Sequence, residues 1–184
     1  SISAPLQVVL VLTLLSFLPA ILVTMTSFTR IVIVFHFLRQ ALGTQEMPSN
    51  QILIGLALFL TVFVMAPTGD RVYELAVQPA MAGQVDVSEA FNRAAPPLRD
   101  FMLRQTREKD LALFVGATGA PRPAEPSDLP PQVIMPAYIL SELKTAFIIG
   151  FIIFVPFLVI DLVVSSSLMS MGMMMLPPVL ISLP

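Results

Sequence analysis

Six ionisable side chains sit in strongly apolar surroundings: Arg30, His36, Arg39, Glu142, Lys144 and Asp161. Asp161 lies between Ile160 and Leu162 and is the sole charge from residue 145 to residue 184. A carboxylate in a spanning helix costs about 2.5–3.5 kcal/mol on insertion scales, so it faces a bundle interior, water or a partner charge. It can serve as a proton or ion site. It can equally form an interhelical salt bridge, or sit at a helix end near the headgroups. Glu142 and Lys144 are two residues apart, so they do not share a helix face. Lys144 is placed to meet a carboxylate of another helix or subunit. Arg30 and Arg39 either snorkel to the interface or pair across subunits. Asp161 and Lys144 together would suit an ion- or proton-coupled membrane transporter.

Other chemistries lack their residues. His36 is the single histidine, and no His/Glu cluster accompanies it, so a hydrogen-bonded packing role is expected. Cysteine is absent, which excludes disulfides and thiolate metal sites. A serine or threonine nucleophile needs an organised base, and none is suggested. No HExxH, phosphate-binding glycine loop or nucleophile elbow occurs. Asp70 and Asp161 are poor candidates for an aspartyl pair, because Asp70 lies at the edge of an apolar segment. No enzyme, metal or cofactor is expected.

The methionines are distributed unevenly. Met169, Met171, Met173, Met174 and Met175 account for five of 11 and fall within seven residues. Gly172 interrupts them and Pro177-Pro178 follows. Methionine is unbranched and polarizable, and fits irregular surfaces without one fixed shape. One methionine in an apolar helix is ordinary filler. Three in a row between glycine and proline suit a deformable seal. Non-helical backbone at membrane depth is tolerated where protein buries it or where it lines a cavity. Hydrophobic constrictions can gate by dewetting. Met173, Met174 and Met175 are therefore candidate pore-lining residues, with Gly172, Pro177 and Pro178 as the hinge.

The elements that position these residues follow from hydropathy. Of 184 residues, 56% are hydrophobic and 12% charged, with mean hydropathy +0.86. Soluble domains carry about 25% charged residues, so an integral membrane protein is expected. A net charge of -2 gives no reason to expect nucleic acid. Three apolar regions are long enough to span a bilayer: residues 5–40, 50–67 and 136–168. The first is either one long tilted helix or a helix kinked near Pro19. Its uncharged first 29 residues lack a basic start and are too long for a signal peptide core. Any signal peptide is expected to have been removed before Ser1. A turn over 43–50 makes a helical hairpin, with Gly43 closing one helix and Ser49 or Asn50 capping the next.

Residues 70–128 hold seven basic and nine acidic side chains, 16 of the chain's 22 charges, and must lie in water. Residues 88–114 read as an amphipathic helix pair or one bent helix. Ser88 is its candidate cap and Pro96-Pro97 its break. The mixed run 104–110 reads as a solvated face, and 116–131 as a loop. Arg30 and Arg39 mildly favour a cytoplasmic first turn, which puts 70–130 outside the cell. The expected architecture is all-α: helical hairpins with a charged extracytoplasmic helical insertion. Its parts are an apolar hairpin (1–68), the charged segment and Pro-rich loop (69–135), and an apolar helix with the methionine loop (136–184).

Several blocks resemble the FliP family of flagellar type III export-gate proteins, which has close relatives in virulence secretion. They begin with Thr26-Ser27-Phe28-Thr29-Arg30-Ile31-Val32-Ile33-Val34 and Arg39-Gln40-Ala41-Leu42-Gly43-Thr44-Gln45. Pro48-Ser49-Asn50-Gln51 and Pro136-Ala137-Tyr138-Ile139-Leu140-Ser141-Glu142-Leu143-Lys144-Thr145-Ala146-Phe147 follow, and then residues 161–178. The resemblance covers the chain except 70–130. It implies an export-gate subunit of the bacterial inner membrane, in the flagellar basal body. It implies five copies assembled with one FliR and four FliQ family subunits, alongside other export-apparatus proteins. Unfolded flagellar subunits would pass through the channel. It also implies a cleaved signal peptide, and a further apolar helix after the proline turn. The family's methionine gasket falls on Met173, Met174 and Met175.

Overall fold

The computed structural model describes residues 4–44, 47–118 and 128–182. Among the described residues all regular structure is helical. The α-helices are α1 (Ala4–Met25), α2 (Phe28–Ala41), α3 (Asn50–Val72), α4 (Gln78–Met81), α5 (Val87–Gln105), α6 (Glu108–Thr118), α7 (Pro131–Ser170) and α8 (Val179–Ser182). A π-helical segment, Tyr73–Val77, joins α3 to α4. The helical stretches Asn50–Met81 and Pro131–Ser170 are long and apolar enough to cross a membrane. A third span arises if α1 and α2 count as one broken crossing. The protein is an all-α membrane protein, as its hydropathy requires.

The helix boundaries depart from the sequence expectation in four places. The first apolar region breaks at Thr26-Ser27, and Pro19 stays inside α1. Hydrogen bonds from Thr26 hold the break, although the buried Ser27 hydroxyl has no partner among the described residues. The Thr26 hydroxyl donates to the Leu22 carbonyl and accepts from the Phe28 N–H at 3.3 Å, and Tyr138 Oη donates to the Thr26 carbonyl over 2.8 Å. The second region continues past Pro67 to Met81. Helix α5 is capped by Asp86, not Ser88: its carboxylate accepts from the Glu89 N–H over 2.7 Å. Pro96-Pro97 do not break α5, although each proline forfeits a helix hydrogen bond. Pro97 is fully buried on the face that also carries Phe101 and Met102, so packing offsets the loss. Gln45 and Glu46 of the expected turn, and 119–127 of the expected loop, lie outside the described residues.

The chain forms two compact units, Ser1–Thr29 with Thr61–Glu142, and Arg30–Leu60 with Leu143–Pro184. Compactness and hydropathy thus divide it along different lines.

The first unit has an apolar core. Phe101 and Met102 of α5, Val115 of α6, Leu129, and Val133, Ile134 and Tyr138 of α7 are buried together. Phe101 meets Tyr138 edge-to-face at 6.2 Å, the geometry aromatic pairs favour. Met25 and Met65 pack on the margin. Helix α6 is fixed by a buried polar contact: Ser141 Oγ donates to Asp110 Oδ2 over 2.7 Å and accepts from the Arg107 N–H at 3.0 Å. The 104–110 run is thus not uniformly solvated. Arg104, Gln105, Arg107, Glu108 and Lys109 are exposed, while Asp110 is buried. Its position on the inner side of the first turn of α6 takes it inward.

The second unit packs α2 against the outer part of α7. Phe37 and Phe147 meet edge-to-face at 5.6 Å, beside the buried Gly150. A Cβ on Gly150 would lie 2.4 Å from the Phe37 ring, so α7 needs glycine at this crossing. The turn after α2 forms where expected. Gly43 takes a left-handed φ of 69° and its N–H donates to the Gln40 carbonyl. Arg39 Nη1 donates to Asn50 Oδ1 over 2.6 Å, tying the last turn of α2 to the first residue of α3.

Candidate functional site: the methionine turn

Helix α7 runs 40 residues, through Pro136 and Pro156, and stops at Ser170. Gly172 ends it. Its φ of +78° is left-handed, a region closed to most L side chains without strain. Its N–H donates to the Met169 carbonyl over 3.1 Å, and the Met173 N–H donates to the Leu168 carbonyl over 3.0 Å. This pair of bonds is a Schellman cap, which satisfies carbonyls that a helix end otherwise leaves open. The chain then turns through 171–178, and α8 starts directly after Pro177-Pro178. Two prolines with fixed φ and no N–H make that restart abrupt.

The three consecutive methionines lie on this turn. Met173 is 42% exposed, Met174 84% and Met175 98%. Leu176, Met171 and Met169 are exposed beside them. The whole turn is uncharged. Met174 and Met175 bury little surface within the chain. They present an apolar, conformationally soft surface outward.

Asp161 lies nine residues before the end of α7 and is half-buried. Its Oδ1 accepts a hydrogen bond from the Ser182 hydroxyl of α8. Lys144 is exposed, and Glu142, two residues away, is fully buried, as expected for different faces. Asp161 and Lys144 are 17 residues apart on one helix, about 25 Å along its axis. Their charges therefore do not meet within one chain. Arg30 and Arg39 are half-buried on α2. Arg39 is engaged with Asn50 and, at 3.2 Å, with His36 Nδ1. His36 is exposed, not a packing residue, and its Nε2 lies 3.3 Å from the Gln40 amide. Among the described residues no group of three or more metal-ligating side chains converges.

The structure thus joins Gly172, the three methionines and the proline pair into one turn, and brings Asp161 to Ser182 of the segment that follows it. It leaves Glu142, Lys144, Arg30 and Arg39 apart from that turn. Ser182, Gly150 and the Asp110–Ser141 pair have no sequence signal, since each acts through a partner distant in the chain.

Comparison with known proteins fits the same blocks. The FliP family model matches residues 11–184. The chain belongs to the FliP family. It is 53% identical over 184 residues to the flagellar biosynthetic protein FliP of Bacillus subtilis (strain 168), spanning 100% of this chain and 83% of that protein. It is 56% identical to the protein of that name from Pectobacterium carotovorum subsp. carotovorum, over 97% of this chain and 69% of the relative. For the Caulobacter vibrioides protein the identity is 53%, over 97% of this chain and 67% of the relative. Family membership therefore extends through the 70–130 segment, which the recognisable blocks leave out.

Proposed function

We propose that this chain is a subunit of the flagellar type III protein export gate, and that its methionine turn is the seal of the closed pore. Five copies assemble with FliR and FliQ family subunits in the bacterial inner membrane, at the flagellar basal body. Unfolded flagellar proteins pass through the shared channel, and other export-apparatus proteins are further partners. Residues 1–68 supply an apolar hairpin, 69–135 the charged extracytoplasmic segment, and 136–184 the long helix and the gating loop. The role is that of a conduit and not of an enzyme.

One observation carries this reading. Three consecutive methionines stand up to 98% exposed at the tip of a turn fixed by Gly172 and by Pro177-Pro178. Around a common axis, five such tips would form a ring of thioethers. Thioethers pack without a fixed shape, so the ring can exclude water by dewetting and still yield to a passing chain. Energy comes from elsewhere, since the sequence has no phosphate-binding loop. Replacing Met173, Met174 and Met175 together with Ala is expected to raise ion leak through the assembled gate. Conductance equal to wild type would reject the seal.

A transporter built on Asp161 and Lys144 has less support, because about 25 Å of helix separates the two.

A further inference from the structure

The segment after the methionine turn is joined to α7 by a side-chain hydrogen bond. From residue 171 to residue 181 every side chain is apolar or absent. The Schellman cap at Gly172 fixes how the turn leaves α7. It does not fix where the returning segment lies. The first polar side chain after the turn is Ser182, and its hydroxyl donates to Asp161 Oδ1. Nine residues of α7 separate Asp161 from Ser170, about 13 Å of rise. The returning chain must therefore lie back along α7 for that bond to form.

We propose that Asp161 is a positioning residue, and that its bond with Ser182 is a clasp fixing how far the methionine turn projects. The clasp closes the base of a loop whose other end is the Gly172 cap. A carboxylate in apolar surroundings needs a donor. Ser182 supplies one. Asp161 thereby gains a role that requires an acceptor oxygen and no transferable proton. This inference rests on the seal reading for its functional consequence, but the clasp has its own structural readout.

The substitutions separate the possibilities. Asp161→Asn keeps an acceptor oxygen and loses the charge. Asp161→Ala loses both. Ser182→Thr keeps the hydroxyl, and Ser182→Ala removes it. An ion or proton site requires Asp161→Asn to fail and Ser182→Ala to be harmless. A clasp requires the reverse.

The chain has no cysteine, so spin labels can be placed at Leu158→Cys on α7 and Leu180→Cys on α8, both exposed positions outside the methionine trio. The assembled gate would carry the labelled chain diluted with unlabelled chain, so that distances are measured within one copy. With the clasp intact, one narrow distance distribution is expected. Asp161→Ala and Ser182→Ala are each expected to shift the closed-to-open ratio about tenfold or more, seen as a broadened distribution. The double substitution should be no worse than either single one. Asp161→Asn and Ser182→Thr should stay narrow, and their assembly controls for folding. An unchanged distribution in Asp161→Ala and Ser182→Ala would overturn the clasp. So would broadening in Asp161→Asn equal to that in Asp161→Ala. The distances do not depend on conductance, so leak from the methionine-to-alanine gate tests the seal separately.

Discussion

Asp110 and Ser141 are buried together, with a 2.7 Å hydrogen bond between them and the Arg107 N–H closing the group. A buried hydroxyl left without its acceptor costs about 1–3 kcal/mol. Asp110→Ala is therefore expected to destabilise the protein by that amount, and Asp110→Asn by less, because the amide oxygen can still accept from Ser141. Thermal unfolding of the detergent-solubilised protein measures both. Equal losses would mean that the carboxylate charge, and not the hydrogen bond, holds α6. The neighbouring Glu108 and Lys109 are exposed, and their alanine variants should stay within about 0.5 kcal/mol of wild type. Arg71 and Asp100 are 3.7 Å apart and half exposed, a class of pair that contributes about 0–1 kcal/mol.

Helix contacts are decided by a few small or rigid positions. At Gly150 an added Cβ would lie 2.4 Å from Cδ2 and 2.5 Å from Cγ of Phe37. Those atoms are close to the base of the ring, so a rotamer change alone gives little relief. Overpacking of this kind costs about 1–3 kcal/mol. Gly150→Ala should therefore loosen α2 from α7, and Phe37→Ala in the same chain should recover part of the loss. A double-mutant cycle on unfolding temperature tests this, and strictly additive effects would count against the contact. Gly172 works differently. Nothing lies within 4 Å of its would-be Cβ, so space is not its constraint. Its positive φ is, because the cap of α7 requires a left-handed residue there.

At the scale of the whole molecule, apolar surface exceeds what one chain can bury. The spanning window of Asn50–Met81 is 17% buried and that of Pro131–Ser170 only 6%. Phe63 is 75% exposed and Ile152 63%. Soluble monomers do not leave such continuous patches open, so lipid or neighbouring subunits must cover them. A charge at the centre of such a helix costs about 2.5–3.5 kcal/mol. Phe63→Arg and Ile152→Arg are expected to abolish stable assembly in the membrane. Alkaline extraction and native mass spectrometry of the co-produced complex would register the loss. Normal recovery of both variants would show that water reaches these faces.

The helical class, the membrane setting, the family and the turns at Gly43 and Gly172 are all legible in the residues as written. These features are local or compositional: an apolar run, a glycine after a helix, a proline pair. Which irregularities the fold tolerates depends on contacts between distant segments. Proline signals predict a break at Pro96-Pro97 and allow a kink near Pro19. The chain instead breaks at Thr26-Ser27, where Tyr138, 112 residues away, satisfies the open carbonyl. It passes through Pro97 because that ring is buried in the core. Asp110 turned inward and Asp161 acquired Ser182 for the same reason. Hydropathy along a chain records how much a residue favours apolar surroundings, but the partner that settles its position comes from elsewhere in the fold.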